Sequence, residues 1–444
     1  MTLDQENQGV RIAQALALAA LAIAGACSRV VEVVHSEDCS ARPSDPDCAP
    51  TPWPILGHSA NSDPWIVSHH DSITQMRPNV MVLNFYNSAT DPTATAMRQV
   101  KGIAEGSRYH GYADPQAPAF LNYQILKVVD LTDHPVPTGW TNPSSTLLPV
   151  TPTGAFDPLA LFSARYSSAY GFPDPMDGTR FLSLCELFEQ GVINEVWIED
   201  GETGIRRVPL NAERKQTYDT SNHAKVGMFD TFDACAAPGS CLQDVSCGVT
   251  VRMAHLDQNR GPGCDLEVRG WGIEGMWDAL PAYAPIAASF LNRDFATRFG
   301  VLFDGWDNVC DSSGTACVSY PTPTTATGTY ANGTTWTING FISGCGTPDF
   351  PPNARQRWDW GSAPTPNLTP VQSNCEHFGL GDGVKGADQL EVYTSDKVAA
   401  IDKTFGDCGG GWQIYWRQNM PGWHNQAKTK DGAPMRNWWP FLFY

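Results

Sequence analysis

The chain has 444 residues, a formal net charge of −18 at pH 7 and a hydrophobic content of 42%. That content supports one large or two ordinary packed domains and excludes bulk disorder. Such acidity repels nucleic acid phosphates and anionic lipid surfaces, so neither is expected as a partner, while Ca²⁺ or a neutral ligand remains compatible.

Residues 12–26 form an Ala/Leu-rich run interrupted only by Gln14. It is shorter than the roughly 20 apolar residues of a relaxed membrane span and has the length of a signal-peptide core. The run closes on Ala24-Gly25-Ala26-Cys27, small residues that suit a signal peptidase and that approach a bacterial lipobox with Cys27 as the lipid-bearing residue. The expected order is a signal peptide over 1–26, a Pro/Ser/Asp-rich tether over 27–64, and a folded body from about Trp65. The chain carries 13 cysteines, and without Cys27 their number is even. No CxxC pair is present to nucleate a structural zinc site, so these thiols read as disulfides formed in an oxidising compartment. Cys39 is expected to pair with Cys48 and Cys310 with Cys317, with Cys235, Cys241, Cys247 and Cys264 pairing among themselves. The protein is therefore expected outside the cytoplasm, secreted or lipid-anchored at a bacterial surface or in the periplasm, and monomeric.

In the body, Val80–Tyr86 is a short β-branched run after Pro78 and reads as a buried strand. Thr93–Gly106 has helical spacing and ends at glycine. Phe120–Leu131 reads as a second strand, Gly178–Gln190 as a helix closed by Gly191, Ile193–Glu199 as a third strand and Val249–His255 as a fourth. Glu267–Arg298 reads as a helix kinked at Pro281 and Pro285. This alternation predicts an α/β fold over 65–302, with a mostly parallel central sheet and flanking helices. Residues 303–444 are loop-rich, aromatic and Cys-bearing, ending in Asn437-Trp438-Trp439-Pro440-Phe441. So apolar a terminus must dock on the body rather than face water.

Four blocks resemble a family of uncharacterised secreted bacterial proteins: Gly191–Ile198, Cys345-Gly346 with Phe350–Ala354, Cys408–Trp412, and Asn437–Pro440. The likeness spans roughly 79–444 in scattered blocks. It implies export and supplies no catalytic residue. It also implies a His in many members where this chain has Trp271.

Ligands of an open parallel sheet bind beyond the carboxyl ends of its strands. Those ends supply Asn84, Asn87, Glu199, Asp200, His255 and Asp257, followed by Arg260, Asp265, Glu267 and Glu274. The loop His255–Gly263 offers a base, a carboxylate, an anion clamp, and glycines that permit close backbone approach. Glu267 and Glu274 are seven apart, hence on one helix face two turns apart. With Glu199 or Asp200 they could assemble the carboxylate pair that glycoside hydrolysis requires. The commoner explanation of such a loop is ordinary turn chemistry. The 15 tryptophans suit stacking on sugars, though core packing accounts for them equally. His69-His70-Asp71 offers zinc-ligand types, but adjacent residues reach one ion poorly and no HExxH is present. Arg108–Tyr112 reads as a turn.

No GxSxG elbow, GxGxxG or P-loop is found, which removes the common serine-hydrolase and nucleotide readings. The expectation is an exported hydrolase acting on a carbohydrate polymer through Glu199, Asp200, Asp257, Glu267 and Glu274, positioned by His255 and Arg260. No cofactor is called for, although Ca²⁺ or Zn²⁺ is compatible. The alternatives are a metal-dependent peptidase or amidase using His69, His70 or His255, and a non-catalytic surface or binding lipoprotein.

Overall fold

The computed structural model describes residues 51–53, 72–86, 91–132, 147–151, 156–200, 211–219, 224–230, 245, 247–257, 260–283, 294–295, 298–300, 317–330, 333–360, 368–381, 388–399, 401 and 403–443. The expectations placed on Cys27, Cys39, Cys48, His69, His70, Asp71, Asn87, Cys235, Cys241, Pro285 and Cys310 lie outside them.

Two short strands, β1 (Thr51–Trp53) and β2 (Ile73–Met76), pair in parallel. Trp53 is fully buried, so the folded body reaches back into the stretch expected to be a tether. The central sheet is built from β3 (Asn79–Asn84), β4 (Gln124–Asp130), β5 (Glu195–Asp200), β6 (Asn211–Tyr218), β7 (Lys225–Asp230) and β8 (Val251–Asp257) in the order β4-β3-β5-β8-β6-β7. β4, β3, β5 and β8 run parallel, and β6 and β7 add an antiparallel edge. The chain leaves β3 toward β4 on one side and β5 toward β8 on the other. The topological switch point therefore falls between β3 and β5, at Asn84 and Glu199.

Side chains alternate across each strand, so the sheet has two chemically distinct faces. Met81, Leu83, Phe85, Val196, Ile198, Val251 and Met253 point to one, under α2 (Ala164–Tyr170) and α3 (Leu184–Glu189), in an apolar cluster. α3 starts at a capping box: Ser183 Oγ accepts from the Glu186 amide and Glu186 accepts from the Ser183 amide. It is shorter than Gly178–Gln190 because residues before Ser183 form turns; Gly191, at φ +65°, follows its end as expected.

Val80, Val82, Trp197, Ala254 and Leu256 point to the other face, under α1 (Pro92–Gly106) and α4 (Pro262–Tyr283). Asp91 caps α1 by accepting from the Thr93 amide at 2.9 Å. After the short α5 (Asp396–Ala399), α6 (Gly410–Gln418) packs across α1 and α4 as a further layer. Its Trp412, Tyr415 and Trp416 are buried. Gly106 permits the approach of α1, since a Cβ there would meet Arg417 Cδ at 2.9 Å. The C-terminal α7 (Trp439–Phe443) docks as required: Trp438 and Trp439 are fully buried, with Trp438 edge-on to Phe295 at 4.9 Å.

Disulfides join Cys185 to Cys247, Cys264 to Cys408 and Cys345 to Cys375. Cys247 and Cys264 therefore do not pair within their own sequence cluster. Both bonds cross from one structural layer to another, over 62 and 144 residues, where sequence proximity gives no guidance. Among the described residues no helix is long and apolar enough to cross a membrane.

Candidate functional site

β8 ends at Asp257, and the chain passes Arg260 into α4, which begins at Pro262 rather than Glu267. The first turn of α4 is capped from far along the chain. Asp407 accepts from the Gly263 amide through Oδ1 at 3.1 Å and from the Cys264 amide through Oδ2 at 3.2 Å. A carboxylate there is favoured by the positive end of the helix dipole. A Cβ on Gly261 would lie 2.5 Å from Asp407 Oδ2, and one on Gly263 2.0 Å from the Asp407 carbonyl oxygen. These glycines do permit close approach, but the group that approaches is the protein's own Asp407. The Cys264–Cys408 disulfide fixes the contact, with Cys408 and Gly409 at φ +41° and +64°.

The ligand-type atoms of Cys264, Asp407 and Cys408 lie within 4.8 Å of one another, a donor set suited to metal binding. In this structure the two sulfurs are bonded to each other and both Asp407 oxygens accept amide hydrogens. A metal would need the reduced thiols.

One turn further along α4, Glu267 is 1% exposed and accepts from Arg260 Nη2 at 3.0 Å; the same nitrogen lies 3.4 Å from Cys408 Sγ. Burial, and then the charge of Asp349, push the Glu267 carboxyl up to about 7, with Arg260 and Arg357 opposing the rise. Asp349 is buried too, but held by donors: Trp271 Nε1 at 3.0 Å to Oδ1 and Arg357 Nε at 2.7 Å to Oδ2. The Arg357 guanidinium lies 4.8 Å over the ring of Trp358, which has φ +64° and is 44% exposed. Two buried carboxyls in contrasting environments thus face a rim of two arginines and exposed tryptophan, an arrangement able to transfer a proton beside a second carboxyl held by fixed donors.

Asp349, Arg357 and Trp358 were not among the expected site residues. The available signal was their position between and just beyond the Cys345-Gly346 and Phe350–Ala354 blocks. The position where the resemblance implies His holds Trp271, whose indole supports Asp349.

The sheet distributes the other expected residues. Glu199 lies at the switch point on the helical α1/α4 face, fully buried, with both carboxylate oxygens lacking a well-formed hydrogen bond. Burial pushes its carboxyl up to about 7; the Thr95 hydroxyl and Arg98 restrain the rise and Asp91 adds to it. Asp200, His255 and Asp257 alternate onto the opposite face, where a His255 ring nitrogen lies 3.2 Å from the Asp200 carbonyl oxygen. They do not share a face with Glu199. Asp265, beside the end of β8, accepts from the Asp257 amide at 3.2 Å, and burial pushes its carboxyl up to about 8. Glu274 is half-buried further along α4.

Beneath Glu199, buried ions form a chain. Glu195 accepts from Tyr123 Oη at 2.6 Å, Trp197 Nε1 at 2.9 Å, Arg252 Nη1 at 3.2 Å and Arg269 Nη1 at 2.9 Å. Arg252 continues to Glu213 at 2.8 Å and Glu213 to Lys215 at 3.0 Å. These carboxylate and ion-pair clusters, with the Cys264/Asp407/Cys408 group, are the groups in the described residues suited to catalytic or metal-binding chemistry. No family model matches the chain, and neither curated proteins nor solved structures give a match.

Proposed function

We propose that this chain is an exported hydrolase that cleaves a carbohydrate polymer by general acid–base chemistry, with Glu267 as the proton-transfer group and Asp349 as the ionised partner. One observation carries the reading: of two adjoining buried carboxyls, one is raised to about 7 and the other is tied to an indole and a guanidinium. A group titrating near neutrality is suited to give a proton to a leaving oxygen and take one back. A carboxylate held by fixed donors is suited to stabilise an oxocarbenium-like centre or activate water. Arg260 and Arg357 bring charge to the rim, and Trp358 offers an exposed face to an apolar sugar edge. The test is release of reducing ends from a panel of neutral and acidic polysaccharides by the full chain. Hydrolysis abolished in both Glu267→Gln and Asp349→Asn, with folding intact, supports the assignment. Either variant retaining full activity overturns it.

A second reading, a metal-dependent peptidase or amidase, draws on the Cys264/Asp407/Cys408 donor set. It requires thiolates, so zinc should bind after mild reduction and confer peptide or amide hydrolysis. Elemental analysis of the reduced chain dialysed against zinc, finding no bound ion, eliminates this reading.

A further inference from the structure

On the α1/α4 side of the sheet Lys215, Arg252, Arg269 and Arg417 are each at most 5% exposed, and Glu195 and Glu213 are among their carboxylate partners. A buried charge is strongly unfavourable unless paired.

Arg269 keeps donors that these carboxylates do not take up. Its guanidinium is stacked 4.7 Å from the ring of Trp197, and Nη1 donates to Glu195 at 2.9 Å. Nε and Nη2 are buried with no hydrogen-bond partner. These two nitrogens form one edge of the fork, with parallel N–H vectors that match the two oxygens of a carboxylate. Arg417 adds a second cation: Nη1 donates to the Gln413 carbonyl at 2.8 Å and Nη2 to that of Leu266. Burial, and then the nearby charge of Arg269, lower its pKa to about 9, so the two guanidiniums share one region. On the same side, Gln99 of α1 has both amide atoms buried without a partner.

We propose that the Nε/Nη2 edge of Arg269, backed by Arg417, is an internal binding site for a small carboxylate, separate from the Glu267–Asp349 pair. A monoanion fits better than phosphate, because the single open edge offers two donors and the Glu195 carboxylate already occupies the third nitrogen.

The probe is acetate, titrated into the full chain at pH 6.5 against chloride at equal ionic strength and followed by Tm. A saturable rise with acetate alone is expected, with apparent affinity about tenfold weaker in Arg269→Lys, which keeps the charge and loses the fork. A crystal grown in acetate should show planar density within hydrogen-bond distance of Arg269 Nε and Nη2, a readout that stands if the variant does not fold. Equal stabilisation by chloride or inorganic phosphate overturns the proposal, as does water alone at that edge. Glycan hydrolysis is not the readout, so failure here leaves the Glu267 assignment untouched, and the reverse holds.

Discussion

The two faces of the central sheet are made by alternate residues of the same strands and are opposite in character. Under α2 and α3 the sheet meets leucine, phenylalanine and methionine, and two buried tyrosines settle their hydroxyls on the backbone carbonyls of Leu147 and Leu161. Under α1, α4 and α6 the same strands present Glu195, Glu199 and Arg252 among Trp197 and Leu256. Apolar burial stabilises by roughly 25 cal/mol per Å² wherever it occurs, whereas a buried ion pair seldom improves on an apolar pair of equal volume. Stability alone therefore explains the first face and not the second. The charged face is the one that carries the candidate chemistry.

That contrast breaks most easily at Glu267. Glu267→Gln should lower hydrolysis by about 10²–10⁴-fold with Tm nearly unchanged; removing an apolar side chain from the opposite face should do the reverse. Next in size is Glu195→Ala, which leaves Arg252 and Arg269 facing each other without their shared acceptor. Urea unfolding should show a loss of about 3–5 kcal/mol. A loss below about 1 kcal/mol would mean that the ions do not act as a network. Leu187→Ala, on the apolar face, should cost about 2–5 kcal/mol by cavity formation and leave turnover intact.

The disulfides extend the comparison at smaller magnitude. Opening Cys185–Cys247 with paired serines should remove about 2–4 kcal/mol and affect stability alone, because it ties α3 to the strand edge on the apolar side. Opening Cys264–Cys408 should have a similar stability cost and also depress activity, since it releases the Asp407 cap and the sulfur beside Arg260. Equal activity loss in both double variants would remove the distinction between the faces.

The apolar face was the legible part of the sequence. Val80–Tyr86, Ile193–Glu199 and Val249–His255 announce strands through runs of buried residues, and the observed strands differ by about two residues at their ends. β6 was missed because Asn211–Tyr218 reads Asn-Ala-Glu-Arg-Lys-Gln-Thr-Tyr, with no apolar alternation. Its inward residue Glu213 is made compatible with burial by Arg252, a partner 39 positions away, and Lys215 by Glu213 in turn. The candidate site was legible by half for the same reason. Glu267 and Arg260 stand at a strand end, where loops of an open sheet converge. Asp349 and Arg357 arrive from the C-terminal region and are brought in by tertiary packing, which no local pattern encodes. Asp200, His255 and Asp257 were grouped with Glu199 as residues at strand ends, although a strand sends successive residues to opposite sides.

The smallest predicted effect is a pH slope that belongs to the charged face. Glu199 and Glu267 are raised to about 7 from 4.5, and Asp265 to about 8 from 3.8. At pH 6.5–7.5 the unfolded chain has shed these protons and the folded chain retains part of them. The folded state binds more protons, so stability must fall as pH rises, by up to about 1.4 kcal/mol per pH unit for each group still protonated. His110, lowered to about 4, acts in the opposite sense chiefly below its unfolded value of 6.5, and Lys215, lowered to about 8, chiefly above the window, so each offsets only part of the slope. On the apolar face Tyr166 and Tyr170 are raised far out of range by burial and contribute nothing there. Tm should therefore decline from pH 6.5 to 7.5, and Asp265→Asn, which still accepts from the Asp257 amide, should flatten the decline. A Tm that is level or rising across that interval in the unaltered chain would show that these carboxyls are charged when buried, and the proton-transfer role of Glu267 would lose its physical basis.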